Sequence, residues 1–424
     1  MAISKDNIKA VILVDGVDLG RCPIGSRVPR ALWPVGEKTV LENLIEQLAG
    51  QGIRRVAVCQ TDGRGEGENR PLAVSDWLLA GKGRKRSVGV EKGRRGEELL
   101  IHKDGQEGSR GEGIVIQYIA EEMPRGAGGC LFDAGRDGDE LLLVLNCNII
   151  SVPNIAEILD SHTAAKADMT IGFNPSRGGD SLAVDASQVF LCERSVLEHI
   201  TDVGYCDIKE GLIRQLVAVG KKIHAFSLSD DLGAFRSWRE YLAAVELFLQ
   251  KVCDGETILS GYKTNGSKNV RLGADANVAA GARIFGPAIV CSGAEIMEEA
   301  IVFGPAIIGP DVHVGRGAIV AESVIWEGSR VGAGCVVQGS LLDCGVRVAN
   351  NKTVEGELLA GKYGVWGRAI DKILMWTRDE IGRLNASVKL RTQKIVERLP
   401  KSACLLYTSP SPRDLSTSRM PSSA

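Results

Sequence analysis

The sequence lacks the features that mark membrane-spanning, secreted and zinc-binding proteins. No apolar run approaches the roughly 18 residues that a membrane-spanning helix requires, and the first residues, MAISKDNIKAVIL, do not have the pattern of a signal peptide. The 11 cysteines are scattered singly without a C-x-x-C pair, which is typical of reduced thiols. With 51 basic and 53 acidic residues, no excess charge predicts nucleic acid as a partner. A cytoplasmic protein without a membrane span is expected.

The first part of the chain predicts an α/β domain over residues 8–255. A continuous apolar run at 10–14 is typical of a strand buried on both faces. Helix-like and strand-like segments then alternate, which indicates a largely parallel sheet. The predicted strands are 10–14, 55–59, 114–119, 141–145, 169–173 and 188–192, and the predicted helices are 40–50, 152–166, 208–219 and 238–252.

Residues 62–113 interrupt this pattern with a stretch rich in Gly, Arg, Lys and Glu, which predicts a flexible insert. It contains the basic cluster Lys82-Gly83-Arg84-Lys85-Arg86. Such a cluster is compatible with an anionic partner, but a solvated loop is the simpler interpretation.

A strict period of six organises residues 265–352. Large aliphatic residues recur at this spacing, and a small or β-branched residue follows each of the first eight by four positions. After Val320 the frame slips by one residue and continues through Ile325, Val331 and Val337. Neither a helix nor a flat strand has this period, whereas a three-sided parallel β-helix has one side per hexad. The aliphatic residues should fill its interior, and Gly273, Gly309, Gly315 and Gly332 should permit its corners.

Two segments follow the repeats. Apolar residues between 365 and 400 fall at helical spacing opposite a basic face, which predicts a helix that packs on the β-helix, on a partner subunit or, alternatively, on a membrane surface. Residues 404–424 are rich in Ser and Pro without periodicity, which predicts disorder. This tail also resembles a translated sequencing adapter, so the natural chain is expected to differ beyond residue 403.

Four stretches carry a family resemblance: PRALWPV at 29–35, YCDIK at 205–209, DLG at 231–233 with Tyr241-Leu242 after it, and SVIW at 323–326. In this order they resemble the sugar-1-phosphate nucleotidyltransferases, especially the mannose-1-phosphate guanylyltransferase branch. The resemblance implies a Rossmann-like nucleotidyltransferase domain followed by a left-handed β-helix. It also implies transfer of a nucleotide from an NTP to a sugar 1-phosphate, with release of pyrophosphate.

The resemblance also implies site residues. The family holds phosphates with a loop of the form L-A-G-G-x-G-T-R-L-x-P ending in P-K, holds the nucleotide with a second glycine turn, and binds Mg²⁺ with two aspartates. The matching positions are Arg21 and Arg30 as catalytic residues, Leu13, Gly16, Gly126, Gly128 and Gly129 as nucleotide-binding residues, and Asn148 and Asp231 as metal ligands.

Several of these positions depart from the family pattern. Asp15 and Asp18 enter the phosphate loop, where a carboxylate repels a triphosphate. Arg30 replaces the lysine with a planar guanidinium, and Asn148 replaces a metal-binding aspartate with an uncharged amide. Between residues 171 and 189 the family's E-K-P turn and N-A-G strand start are missing.

Three functions are compatible with this pattern. The departures favour a catalytically silent homologue with a regulatory or scaffolding role in nucleotide-sugar metabolism. The alternative is an active nucleotidyltransferase that uses Mg²⁺, and the third is a β-helix acyltransferase, for which His313 is the only histidine in the repeats. The resemblance implies a nucleotide or nucleotide sugar and a sugar 1-phosphate as ligands, and a homo-oligomer or a complex with an active paralogue.

Overall fold

The computed structural model describes residues 7–14, 22–61, 74, 88–93, 96–101, 114–121, 125–136, 138, 141–174, 189–201, 204–257, 259, 261–264 and 269–361. The basic cluster 82–86, the predicted helix at 365–400 and the tail 404–424 lie outside these residues.

The α/β domain is built on a nine-stranded sheet with the strand order β9-β7-β8-β6-β1-β2-β5-β4-β3. Strands β1, β2, β5, β6, β7 and β9 run in one direction, and β3 follows that direction at the edge, while β4 and β8 are antiparallel to their neighbours. The prediction of a mixed α/β domain with a mostly parallel sheet is confirmed. The strands are β1 (Ile8–Val14), β2 (Arg55–Thr61), β3 (Val88–Gly93), β4 (Gly96–Ile101), β5 (Ile114–Glu121), β6 (Leu141–Asn146), β7 (Met169–Phe173), β8 (Val189–Cys192) and β9 (Ile223–Ser227).

Local capping determines where the helices begin. Thr39 and Glu42 form a reciprocal capping box at the start of α1, in which each side chain bonds the other residue's backbone N–H. Asn154 and Ser237 each cap a helix through a single bond. The Asn154 side chain accepts from the Ala156 N–H at the start of α3, and the Ser237 side chain accepts from the Glu240 N–H at the start of α5. The helices are α1 (Val40–Gly50), α2 (Gly126–Gly135), α3 (Ile155–Ala165), α4 (Ile213–Ala218) and α5 (Trp238–Asp254).

Three features differ from the sequence-based expectations. Strands β3 and β4 form a hairpin inside the stretch that was expected to be a flexible insert, so pairing with β5 overrides its polar composition. Strand β9 was not predicted, because this partly exposed edge strand (IHAFS) has no continuous apolar run. The expected helix at 208–219 is divided into a π-helical turn, Ile208–Leu212, capped by Asp207, and α4.

Residues 269–359 form a parallel β-helix with three sheets, which we name faces A, B and C, and the strand Lys263–Thr264 joins the edge of face A in the antiparallel direction. Face A contains Lys263–Thr264, Val270–Leu272, Ala288–Val290, Ala306–Ile308, Val324–Ile325, Leu341–Leu342 and Leu358–Leu359. Face B contains Asn277–Val278, Glu295–Ile296, His313–Val314, Arg330–Val331 and Arg347–Val348. Face C contains Arg283–Phe285, Ile301–Phe303, Ile319–Ala321, Val336–Gln338 and Thr353–Glu355. The predicted β-helix is confirmed.

The period-six residues fill the interior of the β-helix as predicted. The aliphatic series from Val290 to Val337 is at most 1% exposed and forms one hydrophobic cluster with the small residues between its members. The slip in the repeat is visible in the register, because Ile289 pairs with Ile307 and Ile307 pairs with Val324. One coil therefore has 18 residues and the next has 17, without a break in the ladder.

The corner glycines have a different role from the expected one. We expected Gly309 and Gly332 to provide unusual backbone angles, but neither has a positive φ. A Cβ on Gly309 would lie 2.6 Å from the Ile325 carbonyl oxygen, and a Cβ on Gly332 would lie 2.6 Å from the Asn350 nitrogen. These positions require glycine because the next coil passes against the backbone.

Face A packs on the α/β domain around four aromatic side chains that we name the junction core: Trp33, Phe235, Tyr241 and Trp326. All are at most 1% exposed. The ring of Trp33 lies 5.8 Å from Phe235, 5.2 Å from Tyr241 and 5.8 Å from Trp326 between centroids. The Tyr241 hydroxyl donates to the Pro34 carbonyl. The α/β domain and the outer side of face A thus share one hydrophobic core.

Polar contacts cross the same junction. The Arg27 guanidinium donates to the Asp343 carboxylate at 2.6 Å, and the aspartate side chain is only 3% exposed. Glu37 accepts hydrogen bonds from the Ser292 backbone N–H at 2.8 Å and from its hydroxyl at 2.6 Å. Each of these bonds joins a residue of the α/β domain to a residue of the β-helix, so together they hold the two domains in this orientation.

Among the described residues, no helix is both long and apolar enough to cross a membrane. The ten cysteines of this part of the chain are all free thiols.

Candidate functional site

The candidate site lies at the carboxyl edge of the sheet. Strand β1 lies between β2 and β6, and the chain builds the sheet outward from β1 first on the β2 side and then on the β6 side. The strand order therefore reverses at β1, and open α/β sheets bind their ligands beside the strand ends at such a point. Leu13 and Asn146 are paired in register at the ends of these two strands.

Leu13 lies where the sequence analysis placed it, at the end of β1. Its side chain is 8% exposed, and its carbonyl accepts a hydrogen bond from the Cys147 N–H at 2.9 Å. The bond holds the loop after β6 against the end of β1. Gly16 and Arg21, which belong to the predicted phosphate loop, lie outside the described residues.

Asn148 and Asp231 lie on two loops that are bonded to each other. The Asn148 carbonyl accepts from the Phe235 N–H at 2.8 Å, and the Leu232 carbonyl accepts from the N–H groups of Ile150 and Ser151, both at 3.0 Å. The fold therefore brings the loops of the two predicted metal ligands together, although they are distant in sequence. Asp231 also bonds within its own turn, since its Oδ1 accepts from the Gly233 N–H at 2.8 Å.

The Asn148 side chain is the most unusual group at this edge. The residue is 5% exposed, and its Oδ1 has no hydrogen-bond partner among the described residues. A buried carbonyl oxygen without a partner costs about 1–3 kcal/mol, so this atom is suited to accept from a ligand or to coordinate a cation.

The oxygen donors of this pair fit a hard divalent cation in type but not in charge. Mg²⁺ prefers carboxylate and carbonyl oxygens, and Asp231 and Asn148 provide one of each. Only one of them carries a negative charge. Within the described residues, no group of three or more His, Cys, Asp or Glu side chains is arranged to hold a metal.

The glycine turn at the start of α2 is closely packed against residues 205–206. Gly126 has φ of +78°, and a Cβ there would lie 2.7 Å from the Cys206 carbonyl oxygen. The Gly128 N–H donates to that same carbonyl at 2.9 Å. A Cβ on Gly129 would lie 2.3 Å from the Arg125 Cβ. Each glycine is thus required by packing, and one amide of the turn is already bonded.

Tyr205 and Arg125 flank this turn, and the sequence analysis assigned neither of them a site role. Tyr205 is 72% exposed, and its ring carbons would lie 2.9–3.1 Å from a Cβ on Gly126. The Arg125 guanidinium is paired with Asp133 at 3.0 Å and donates to the Thr201 carbonyl at 3.1 Å. The signal available in the sequence for Tyr205 was its place at the start of the YCDIK stretch, 205–209.

Cys206 is not a nucleophile candidate in spite of its position. Burial, followed by the neighbouring Asp207 carboxylate, raises the pKa of the Cys206 thiol. The thiol is therefore protonated at neutral pH, where only a thiolate would react.

Arg30 lies directly before the junction core, and His313 lies on the β-helix. Arg30 begins a short 3₁₀ turn, Arg30–Leu32, directly before Trp33 of the junction core, and is half-buried. His313 lies on face B, and its Nδ1 is 2.9 Å from the Glu295 carboxylate. His313 therefore belongs to the β-helix surface rather than to the carboxyl edge.

Comparison with known families identifies the second domain. The family model described as "GlmU-like, C-terminal hexapeptide" matches residues 272–359. The C-terminal region is a hexapeptide-repeat domain. The match covers the β-helix and does not extend to the α/β domain. No curated protein matches the sequence.

Proposed function

We propose that this protein is a sugar-1-phosphate nucleotidyltransferase homologue that binds a nucleotide or nucleotide sugar with weak or lost catalysis and serves a regulatory or scaffolding role. The observation that carries the proposal is the pair of joined loops at the carboxyl edge, where the uncharged Asn148 occupies the position that the family resemblance assigns to a metal-binding carboxylate, and where its Oδ1 has no hydrogen-bond partner among the described residues.

Retained binding is supported by the position of the edge. Strands β1, β5 and β6 run in the same direction. The ends of β1 and β6 and the start of α2, which comes after β5, therefore lie at one edge of the sheet, and a nucleotide could contact all three. The exposed Tyr205 ring offers a flat apolar surface beside the glycine turn, and such a surface can stack against a base. The hexapeptide-repeat domain supports the same family by analogy, since the resembling enzymes carry one.

Weakened catalysis is supported by the charges and amides of the site. Nucleotidyl transfer builds up negative charge on phosphate oxygens and needs fixed cations or amide donors to stabilise it. The Gly128 N–H already donates to the Cys206 carbonyl, and the Arg125 guanidinium is paired with Asp133, so both donors are engaged within the protein. Of the two expected metal-binding carboxylates only Asp231 is present.

If a divalent cation binds, the oxygens of Asn148 and Asp231 would hold it. A bound Mg²⁺ would neutralise part of the phosphate charge. The two residues would otherwise only orient the ligand: Asn148 through its side-chain amide, and Asp231 through the turn that it stabilises with Gly233.

The test combines turnover and binding. Pyrophosphate release is measured with a panel of NTPs and hexose 1-phosphates in the presence of Mg²⁺, and binding of GDP-mannose and related nucleotide sugars is measured by calorimetry. We expect saturable binding without turnover above background. Turnover that disappears in Asp231→Ala would instead establish the alternative, an active nucleotidyltransferase, and absence of both signals would reject the nucleotide-binding proposal.

A restoration experiment asks whether the framework is competent. Asn148→Asp combined with Arg30→Lys supplies the carboxylate and the ammonium that the family pattern requires, so we expect measurable pyrophosphate release and tighter Mg²⁺-dependent binding. Asn277→Asp is the matched control, because it adds the same charge at an exposed position of face B. Recovery in the control as well would show that the effect is not local to the site.

A further inference from the structure

Face B of the β-helix carries a column of outward side chains with an uneven charge distribution. In-register parallel pairing stacks Glu295, His313, Arg330 and Arg347 on successive coils. Neighbouring strands of such a sheet are about 4.8 Å apart. Arg330 is therefore directly next to Arg347, and both are exposed. Like charges in directly paired positions destabilise a sheet.

The counter-charges of this surface lie at its other end. Glu295 is paired with His313 at 2.9 Å, and Glu299 is paired with Arg316 at 2.7 Å. Among the described residues, no carboxylate pairs with Arg330 or Arg347. Within the described part of the β-helix, the two adjacent guanidinium groups thus lack a negative partner such as the one that Glu299 provides to Arg316 one coil earlier.

The same surface is concave. A depression of about 380 Å³ is lined by basic and polar side chains together with small and apolar residues. The basic and polar residues are His313, Arg316, Arg330, Arg347 and Asn350, and the others are Met297, Gly315, Val331, Gly332, Ala333 and Val348. Small ligands occupy clefts of about 300–1,000 Å³. Arginine is well suited to phosphate because its planar fork can donate two parallel hydrogen bonds.

We infer that this depression is a binding site for a small phosphorylated molecule, with Arg330 and Arg347 as its anion-binding residues. The volume of the depression, about 380 Å³, is within the range of small-molecule sites, which favours a small molecule as the ligand. The site is on the β-helix, away from the carboxyl edge, so the inference does not depend on the proposed function of the α/β domain.

The test measures binding of inorganic pyrophosphate to the full chain by calorimetry, in EDTA so that no metal contributes. We expect saturable binding that weakens by about tenfold or more in Arg330→Gln/Arg347→Gln, because each lost charged hydrogen bond contributes substantially to affinity. Both positions are exposed and their like charges destabilise the sheet, so the circular dichroism of the double variant should match the wild type and its thermal midpoint should not fall.

A control variant locates the site. Arg283→Gln removes an exposed arginine from face C and should not weaken pyrophosphate binding. The inference is overturned if the wild type shows no saturable binding, if the double variant binds normally, or if Arg283→Gln weakens binding equally. Binding of an acidic polypeptide such as polyglutamate in place of pyrophosphate would overturn it as well.

Discussion

Truncation of Trp326 should test whether the α/β domain and the β-helix form one cooperative unit. The indole ring is 1% exposed and lies 5.8 Å from Trp33 and 6.4 Å from Tyr241 between centroids. Removal of a buried aromatic side chain costs about 3–5 kcal/mol, because the lost burial adds to the cavity that remains. We therefore expect Trp326→Ala to lower the free energy of unfolding by an amount near this range.

The assay is urea unfolding followed by far-ultraviolet circular dichroism. For a chain of this size the dependence of the free energy on urea is about 3 kcal/mol/M or more, so the midpoint should fall by about 1 M. We expect one transition for the wild type, since both domains contribute to one hydrophobic cluster. In Trp326→Ala the transition should broaden or divide as the domains lose their coupling.

Two further variants separate the causes. Tyr241→Phe removes only the hydrogen bond to Pro34 and should cost about 1 kcal/mol. Phe303→Ala removes a ring that is 41% exposed on face C, and its cost should be well below that of Trp326→Ala. An unchanged midpoint in Trp326→Ala, or an equal loss in Phe303→Ala, would refute the idea that the junction core couples the domains.

Three other predictions concern single contacts. Burial lowers the pKa of His162, so the unfolded chain takes up a proton at higher pH than the folded chain. The urea midpoint should therefore fall as the pH decreases through about 6.5. The fall should be smaller in His162→Gln, which lacks the titrating group. Gly128→Ala would place a Cβ 2.7 Å from a sulfur atom and should lower the thermal midpoint by the equivalent of about 1–3 kcal/mol, whereas Gly50→Ala, with nothing within 4 Å, should not destabilise. Arg27→Ala leaves the buried Asp343 without its cation and should cost about 1–3 kcal/mol in the same assay, since the arginine is partly exposed, while Arg27→Lys should restore part of the loss.

The elements that the sequence could predict are those whose burial is regular. Helix α1 and strand β7 begin and end at the predicted residues. A capping box marks the start of α1, and most residues of β7 are buried. The period of six predicts the β-helix because every sixth side chain enters its interior. Strand β9 and the β3–β4 hairpin could not be predicted in this way, since pairing with neighbouring strands holds them in the sheet.

The candidate site was predictable in residue types but not in geometry. The sequence indicated Asn148 and Asp231 as a pair, and the structure joins their loops by backbone hydrogen bonds. It could not indicate that the side-chain Oδ1 of Asn148 has no partner among the described residues, or that the Gly128 N–H donates to the Cys206 carbonyl, because both depend on contacts between distant segments.

The placement of the family-like stretches changes what the resemblance means. Residues 29–35, 241–242 and 323–326 supply three of the four rings of the junction core, and the fourth, Phe235, follows the stretch 231–233 by two residues, so most of the matching sequence lies where the α/β domain meets the β-helix. Packing of these large side chains against one another explains that part of the resemblance without any requirement for catalysis. Two predicted site residues, Arg30 and Asp231, lie within these stretches, whereas the departures at Asp15, Asp18 and Asn148 lie outside them. Retention of the junction together with altered charges at the site supports the proposed role, in which the protein presents a bound ligand on its two-domain framework rather than turning it over.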